Sequence, residues 1–166
     1  IFSLGKAYYP LAVGRYVEYA VTKVDHRELV DDLRSTYYLR QTVIGLDDSE
    51  QYPVYRLEVA TRPNLTAKWQ IDSVWTVRDE GNKFVQTESI VPFIKLSFPL
   101  LEALTWDGNS YNTHGTEEYR ALQVGFPYTV AGQTFENTAT IQQYNSYTLI
   151  DKDLREEVYA SNVGLI

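Results

Sequence analysis

The chain contains no cysteine and no methionine, and it is poor in histidine. Without cysteine it forms no disulfide, no thiolate zinc site and no cysteine nucleophile. Its two histidines, His26 and His114, have no second imidazole at ligand spacing, so the sequence predicts no zinc site and no other cofactor. A serine hydrolase is not predicted either, because no Gly-x-Ser-x-Gly motif is present and neither histidine has local support as a base.

Positive charge and long apolar runs are scarce as well. The 22 acidic side chains outnumber the 15 basic ones, and the net charge of −7 would repel a phosphate backbone, so we expect no nucleic-acid partner. The longest apolar stretch, residues 89–101, is too short for a membrane span and contains two prolines and a lysine. Because the sequence starts without methionine and ends at Ile166 as if in mid-strand, we expect the natural chain to extend beyond both ends.

What the sequence does have is a recurring alternation of apolar and polar residues. Apolar side chains stand at every second position of residues 17–21 and again of residues 55–59. Because successive side chains of a strand point to opposite faces, this pattern predicts a sheet with one buried and one exposed face. Short polar turns separate the runs, which indicates an antiparallel meander, since parallel strands need longer crossovers.

The predicted fold class is all-β, a curved antiparallel meander that forms an open or nearly closed barrel or half-barrel with little helix. One domain is expected over residues 1–166, a length sufficient to bury a core. The predicted strands are bounded by turn residues and cover 15–24, 37–43, 54–61, 69–78, 83–90, 116–124, 133–144 and 155–166. In the fourth of them, Ile71, Ser73, Trp75 and Val77 are predicted to share one face.

Three segments leave more than one interpretation open. Residues 25–33 are interpreted as a long hairpin connection, although Leu29, Val30 and Leu33 fit one helical turn. Residues 93–104 are interpreted as a connecting segment that lies on the sheet and is broken by a proline. Before the last strand, the spacing of Ile150, Leu154 and Val158 makes a short helix the alternative to a turn followed by a strand.

One pattern occurs twice with every spacing kept. Tyr9-Pro10-Leu11-x-x-Gly14-x-x-Val17 returns as Phe98-Pro99-Leu100-x-x-Ala103-x-x-Trp106. We interpret it as a device that leads the chain into a strand: the ring and leucine anchor it, the proline stiffens the loop, and the small residue permits a bend. A chance similarity is the alternative. If the device is real, the domain has two related halves, at about 9–90 and 98–166.

The same residues carry a family resemblance. Tyr9 to Tyr19 resemble the opening of small cell-envelope lipoproteins of Gram-negative bacteria, in which Phe/Tyr-Pro-Leu-x-x-Gly-x-x-Trp-x-Tyr follows a lipid-bearing cysteine. Residues 106–112, 132–137 and 157–166 are similar to that group too, whereas Val17 replaces the tryptophan and the cysteine is absent. The resemblance implies a half-barrel, a signal segment not present here, and a lipid anchor at the periplasmic or outer-membrane surface. Most proteins of this group have no assigned biochemical function.

Aromatic side chains have the clearest potential for ligand binding, with 14 tyrosines, six phenylalanines and three tryptophans. Trp75 alternates with apolar positions and is interpreted as core. Trp69 and Trp106 lie near strand ends, where a ring can face the mouth of a cleft. Together with Tyr111 they form the predicted ligand-binding set, and neither a catalytic residue nor a metal ligand is predicted.

Acidic residues cluster in four polar turns, at 31–32, 47–50, 79–80 and 117–118. Two carboxylates that meet across a cleft can hydrolyse a glycoside, but positions in turns favour solvated charge. The turn after Trp106 mimics part of an EF-hand loop, yet Tyr111 and Asn112 stand where that loop needs a ligand and a glycine, so no calcium site is predicted.

The sequence therefore predicts a non-enzymatic cell-envelope domain that binds an apolar or amphipathic ligand, such as a lipid, or acts in envelope assembly. The membrane enters this interpretation only through an N-terminal lipid, and no protein partner is identified. Two alternatives stay open: a protein-interaction or carbohydrate-binding module built on exposed aromatic side chains, and a hydrolase that uses paired carboxylates.

Overall fold

The computed structural model describes residues 4–26, 30–147 and 152–166. In these residues two antiparallel sheets are each curled into a half-barrel. The first sheet, in spatial order, consists of β1 (Tyr16–Asp25), β2 (Leu33–Asp47), β3 (Val54–Arg62), β4 (Gln70–Asp79), β5 (Lys83–Glu88) and β6 (Val91–Ser97). The second consists of β7 (Thr105–Asp107), β8 (Glu118–Val130), β9 (Gln133–Tyr147), β10 (Lys152–Ala160) and β11 (Gly164–Leu165), again with sequential neighbours paired. The predicted all-β antiparallel meander is confirmed.

Helix is confined, in the described part of the chain, to one 3-10 turn at Lys6–Tyr8. Within the same ranges no helix has the length and apolar character that a membrane crossing requires. Leu29 and Ile150, on which two helical alternatives depended, lie outside the described residues. The neighbouring positions Leu154 and Val158 belong to β10, so the helix alternative is wrong there.

The predicted alternation is confirmed in β1 and, up to Val59, in β3; it is wrong at Ala60, which is buried where the register with β4 shifts. In β1, residues 17, 19 and 21 are half-buried while the positions between them are exposed. In β3, Leu57 and Val59 are buried and Arg56 is exposed. β1 pairs with β2 from Asp25 opposite Leu33 onward, which confirms a hairpin connection between them.

The predicted shared face of β4 is wrong at one position. Ser73 lies opposite Val59 and Ile71 lies opposite Ala60, so Asp72 is an extra residue in the ladder. Such a β-bulge shifts the alternation by one position. Val77 is therefore fully buried and Trp75 half-buried, whereas Ile71 is 63% exposed.

The connecting segment predicted at 93–104 is wrong in its first half, because β6 is a strand paired with β5. Glu88 lies opposite Val91, so the two strands are joined by a two-residue turn with Ser89 at a φ of 58°. That turn lacks the glycine or asparagine that marks a tight hairpin in sequence. Pro92 is tolerated because β6 is the last strand of its sheet. Only the part after Ser97 connects the two sheets.

Two strands of the second sheet also differ from expectation. β8 continues to Val130, past the predicted end at Val124, because register shifts on either side of Phe126 accommodate Gly125 and Pro127. The strand predicted at 155–166 is divided, since the chain turns after Ala160 and returns as β11 alongside β10. Asn162, with a φ of 62°, occupies that turn.

The two related segments lead into the first strand of each sheet in the same way. Gly14 and Ala103 both have positive φ, 92° and 66°. Each donates its amide to the neighbouring strand, Gly14 to the Val43 carbonyl and Ala103 to the Ala121 carbonyl, both at 2.8 Å. The carbonyl of the residue that follows accepts the amide of that same neighbour, at 2.8 and 2.9 Å. This repeated geometry supports the lead-in device; the division into two related halves stays a prediction.

Both sheets contribute to one hydrophobic core. Val43, Leu57 and Val77 come from the first sheet and pack with residues of the second sheet, among them Ile141 and Tyr159. The lead-in segments add rings: Phe84 meets the Tyr9 ring at 5.7 Å and the Phe98 ring at 4.8 Å, both edge to face. The side chains that face inward beyond this core surround a cavity.

Candidate functional site

A cavity of about 400 Å³ lies between the two sheets. Its apolar wall includes Val17, Leu57, Trp75 and Phe93 from the first sheet and Leu165 from the second. Each of these side chains is placed by the inward phase of its strand. The volume falls in the range of about 300–1,000 Å³ that is usual for small-molecule sites, and mostly apolar lining with a few polar groups is typical of them.

Besides the exposed Tyr16, four tyrosines line the cavity: Tyr9, Tyr19, Tyr119 and Tyr159. Burial raises the pKa of each hydroxyl well above its ordinary value, and the carboxylate of Glu157 raises each pKa further. These groups therefore stay protonated and available as hydrogen-bond donors. Three of them have identified acceptors: Tyr9 donates to Gln86 Oε1 at 2.5 Å, Tyr19 to the Leu165 carbonyl at 3.0 Å, and Tyr159 to Glu157 Oε2.

A lysine held between two carboxylates forms the polar floor of the cavity. Lys95 Nζ donates to Glu157 Oε1 at 2.5 Å and lies 3.8 Å from Glu88 Oε1. Glu88 Oε1 also accepts a hydrogen bond from Gln86 Nε2 at 2.7 Å. The Lys95 side chain is only 11% exposed, so its charge depends on these partners, because an unpaired buried ammonium is unfavourable.

Gln143 differs from the other polar groups of the cavity. It lies in β9 where the register with β10 shifts, since Gln142 lies opposite Glu156 and Tyr144 lies opposite Arg155. β-Bulges often occur beside functional sites, where they direct a side chain. Gln143 is 8% exposed and lines the cavity, yet its Nε2 has no hydrogen-bond partner among the described residues.

The cavity reaches a seam between the two sheets that only side chains close. β1 and β11 are the edges of different sheets, and no backbone hydrogen bond joins them in the described ranges. Tyr19 bridges this seam through the Leu165 carbonyl, and Arg15 bridges it through the Asn162 carbonyl at 2.5 Å. At the opposite seam, Ile94 of β6 donates its backbone amide to the Gly108 carbonyl at 2.9 Å. The β1–β11 seam is thus the more easily opened of the two.

None of the three residues predicted to bind a ligand lines this cavity, and the structure does not bring them together. Trp69 contacts the guanidinium groups of Arg40 and Arg62, 4.7 and 4.3 Å from its ring centre. Trp106 donates its indole N–H to the Ile94 carbonyl at 2.8 Å. Tyr111 donates its hydroxyl to Glu80 Oε2 at 2.9 Å and accepts from Lys83 Nζ at 3.1 Å.

The acidic clusters of the sequence do not indicate the polar residues of the cavity. Glu88 and Glu157 belong to none of the four acidic turns. Their positions along the strands indicate them. Gln86 and Glu88 stand two and four residues after buried Phe84, and Glu157 stands two residues before buried Tyr159, so each shares the inward face of its strand. A charged residue at an inward position of a strand needs a buried partner, and that requirement is a better indicator of a site than acidic density.

Neither of the two histidines lines this cavity. His26 Nδ1 is 2.9 Å from Asp32 Oδ2 on an exposed connection, and the His114 ring is 6.2 Å from the Phe93 ring. Among the residues that the structure describes, no group of three or more His, Cys, Asp or Glu side chains is placed to hold a metal ion.

No protein-family model matches the sequence, and it has no significant match among curated proteins or solved structures.

Proposed function

We propose that the protein is a non-enzymatic binding domain that takes an apolar or amphipathic ligand into the cavity between its sheets. The observation that carries this proposal is the cavity of about 400 Å³, with an apolar wall on one side and a hydrogen-bonded polar floor on the other. Burial of an alkyl chain against that wall contributes about 0.8 kcal/mol per CH₂ group, so a short chain already gives measurable affinity.

The state of the two cavity carboxylates supports binding over hydrolysis. Glu157 is engaged by Lys95 and by the Tyr159 hydroxyl, and Glu88 is engaged by Gln86 and lies near Lys95. A glycosidase pair needs one carboxyl group free to give a proton and another free to attack or to activate water. Side chains that are already bonded to each other serve better as a fixed polar surface.

We place this activity in the cell envelope, on a protein anchored by an N-terminal lipid at the periplasmic or outer-membrane surface. The support is the resemblance of the first lead-in segment to envelope lipoproteins, together with the repetition of that segment in front of the second sheet. Metabolic labelling of the full-length protein with a radioactive fatty acid tests the anchor. A natural protein that takes up no label and remains in the cytoplasmic fraction would contradict it.

The binding proposal is tested by quenching of Trp75 fluorescence with bromohexane. A bromine atom quenches an indole only at short range, and Trp75 lines the cavity whereas Trp69 and Trp106 do not. We expect saturable quenching of the wild-type protein and its loss in Trp75→Phe. The other two tryptophans remain in that variant and provide the matched control. Quenching that does not saturate, or that persists in Trp75→Phe, would remove the proposal.

A further inference from the structure

The polar side chains around Lys95 on the floor of the cavity are already hydrogen-bonded to each other. Tyr9 donates to Gln86, Gln86 donates to Glu88, and Lys95 donates to Glu157, which also accepts from Tyr159. These bonds form a continuous connection across the two sheets. Groups that are already bonded to each other attract a ligand weakly, because binding would exchange one hydrogen bond for another.

Gln143 takes no part in these bonds, and its free group is a donor. Its amide nitrogen carries two N–H groups and has no acceptor among the described residues, although the side chain is more than nine-tenths buried. Buried donors are almost always paired in folded proteins, so an unpaired donor at a cavity wall indicates a position where an acceptor atom belongs. The acceptor that the site lacks is an oxygen or nitrogen lone pair of the bound molecule.

The charge of the cavity restricts what that acceptor is. Glu88 and Glu157 outnumber Lys95 on the floor of the cavity, so these three side chains together carry a net negative charge. Of the two arginines at the lining, Arg155 is paired with Glu117, and Arg15 is bonded to a carbonyl at the exposed seam. A carboxylate on the floor would therefore meet two like charges, whereas Arg15 at the exposed seam is the cation of the lining that could compensate it.

From these observations we infer that the bound molecule is an uncharged amphiphile whose ester or amide carbonyl accepts a hydrogen bond from the Gln143 side chain, while its alkyl part lies against Trp75 and Leu57. This inference rests on the proposed function. It separates an esterified or amidated chain from a free fatty acid, which has the same alkyl part but carries a carboxylate.

The test compares methyl hexanoate with hexanoate at pH 7, by following the resonances of side-chain amides in the ¹⁵N-labelled protein. The pair of side-chain amide resonances that belongs to Gln143 is identified because it is missing from the spectrum of Gln143→Leu. We expect that pair to shift on addition of methyl hexanoate and the ester to bind at least about tenfold more tightly than hexanoate. In Gln143→Leu, ester binding falls about fivefold to tenfold, the usual effect of one lost hydrogen bond.

Two controls keep the outcomes distinct. Bromohexane has no acceptor oxygen, so its quenching of Trp75 is unchanged in Gln143→Leu; absence of that quenching in the wild type contradicts the proposed function itself. Gln143→Glu removes the amide donor without adding an apolar side chain, and it too is expected to bind the ester more weakly than the wild type. The inference about the carbonyl is overturned if hexanoate binds as tightly as the ester, and above all if hexanoate binding depends on Arg15, as shown by its loss in Arg15→Gln.

Discussion

The two lead-in segments have the same backbone geometry and different side chains at their ends. Both place a residue of positive φ before the first strand of a sheet and bond it to the neighbouring strand at 2.8 Å. Three positions later the first segment has Val17, which lines the cavity, and the second has Trp106, which packs against the core and bonds to the Ile94 carbonyl. At matching positions, Trp106 fills its surroundings with an indole, whereas the smaller Val17 leaves space at the cavity wall.

The comparison indicates that the cavity depends on side-chain size more than on backbone shape. Where Trp106 is present, the seam beside it is also closed by a backbone hydrogen bond between Ile94 and Gly108. Where Val17 is present, the hydrogen bonds across the seam come, in the described residues, from the Tyr19 hydroxyl and the Arg15 guanidinium. An opening and a space behind it therefore occur on the same side of the molecule, which is the arrangement that ligand uptake requires.

The largest effect is expected when the indole that follows the second lead-in segment is removed. Trp106→Val removes an indole that contacts the Tyr119 ring and the Ile94 carbonyl, so we expect the free energy of unfolding to fall by about 3 kcal/mol. Denaturant titration followed by circular dichroism measures the loss. Trp69→Val is the matched control, because its ring lies on two arginine side chains outside the core, and we expect a cost near 1 kcal/mol. Equal losses would contradict the different roles of the two rings.

The complementary change places a larger side chain at Val17, in the cavity beside the first lead-in segment. Val17→Trp places an indole in the cavity, and we expect bromohexane binding to weaken at least about tenfold, or about 1.4 kcal/mol. Val21→Trp lies on the same inward phase of β1 but outside the cavity lining, so its binding is expected to match the wild type. Competition between the quencher and a non-brominated hexane analogue measures the change in both variants. Retained binding in Val17→Trp would show that the cavity does not hold the probe.

Tyr9→Phe makes the first ring of the two segments alike, since Phe98 has no hydroxyl. At neutral pH we expect a loss of about 1 kcal/mol, because the hydrogen bond to Gln86 disappears. Burial raises the pKa of Tyr9 in the folded protein, so the unfolded chain loses this proton first as the pH rises above about 10. The stabilisation is present below that pH and declines above it. The variant should therefore lose stability less steeply in alkali, by about 1.4 kcal/mol per pH unit.

Stability curves of both proteins between pH 8 and about 11 test this expectation. Parallel curves for wild type and Tyr9→Phe would contradict the buried, protonated state of Tyr9. Tyr16→Phe is a useful control, because Tyr16 is 63% exposed and changes nothing in the buried network.

The smallest effects are expected at Gly14 and Ala103, the residues of positive φ in the two lead-in segments. Gly14→Ala should cost about 1 kcal/mol, entirely from the left-handed backbone, since a Cβ at this position would meet no atom within 4 Å. Ala103→Gly relieves the same strain but gives the unfolded chain more freedom, so its stability should stay within about 0.5 kcal/mol of the wild type. Thermal unfolding measures both changes. A large loss in Ala103→Gly would show that the alanine side chain itself matters.

Much of the fold was predictable because strand alternation is a local signal. The paired runs of β1 and β3 were recognised from their period of two, and the lead-in device was recognised from its repeated spacing. β6 was missed because its turn uses Ser89 without a glycine, and Ile71 was misplaced because a bulge leaves no mark in composition. Errors of both kinds arise where the backbone departs from the regular ladder.

The candidate site was less predictable, since its residues are brought together from distant parts of the chain. Lys95 and Glu157 are 62 positions apart, and Tyr9 and Gln86 are 77 positions apart. Aromatic residues near strand ends suggested Trp69, Trp106 and Tyr111, but strand ends do not determine which face of a curled sheet surrounds a cavity. Trp75, interpreted as core, does line the cavity, because the wall of a cavity and the core beside it have the same apolar pattern.

By itself the sequence determined a β architecture, the faces of β1 and of most of β3, the absence of thiol chemistry and the position of two matching bends, because each of these depends on neighbours within a few residues. Only the tertiary structure decided that two sheets curl against each other, that Lys95 lies between two carboxylates and that Gln143 Nε2 has no partner among the residues described. Hydrogen bonds and cavities are set by the distance between strands that are remote in sequence, and a local pattern carries no information about that distance.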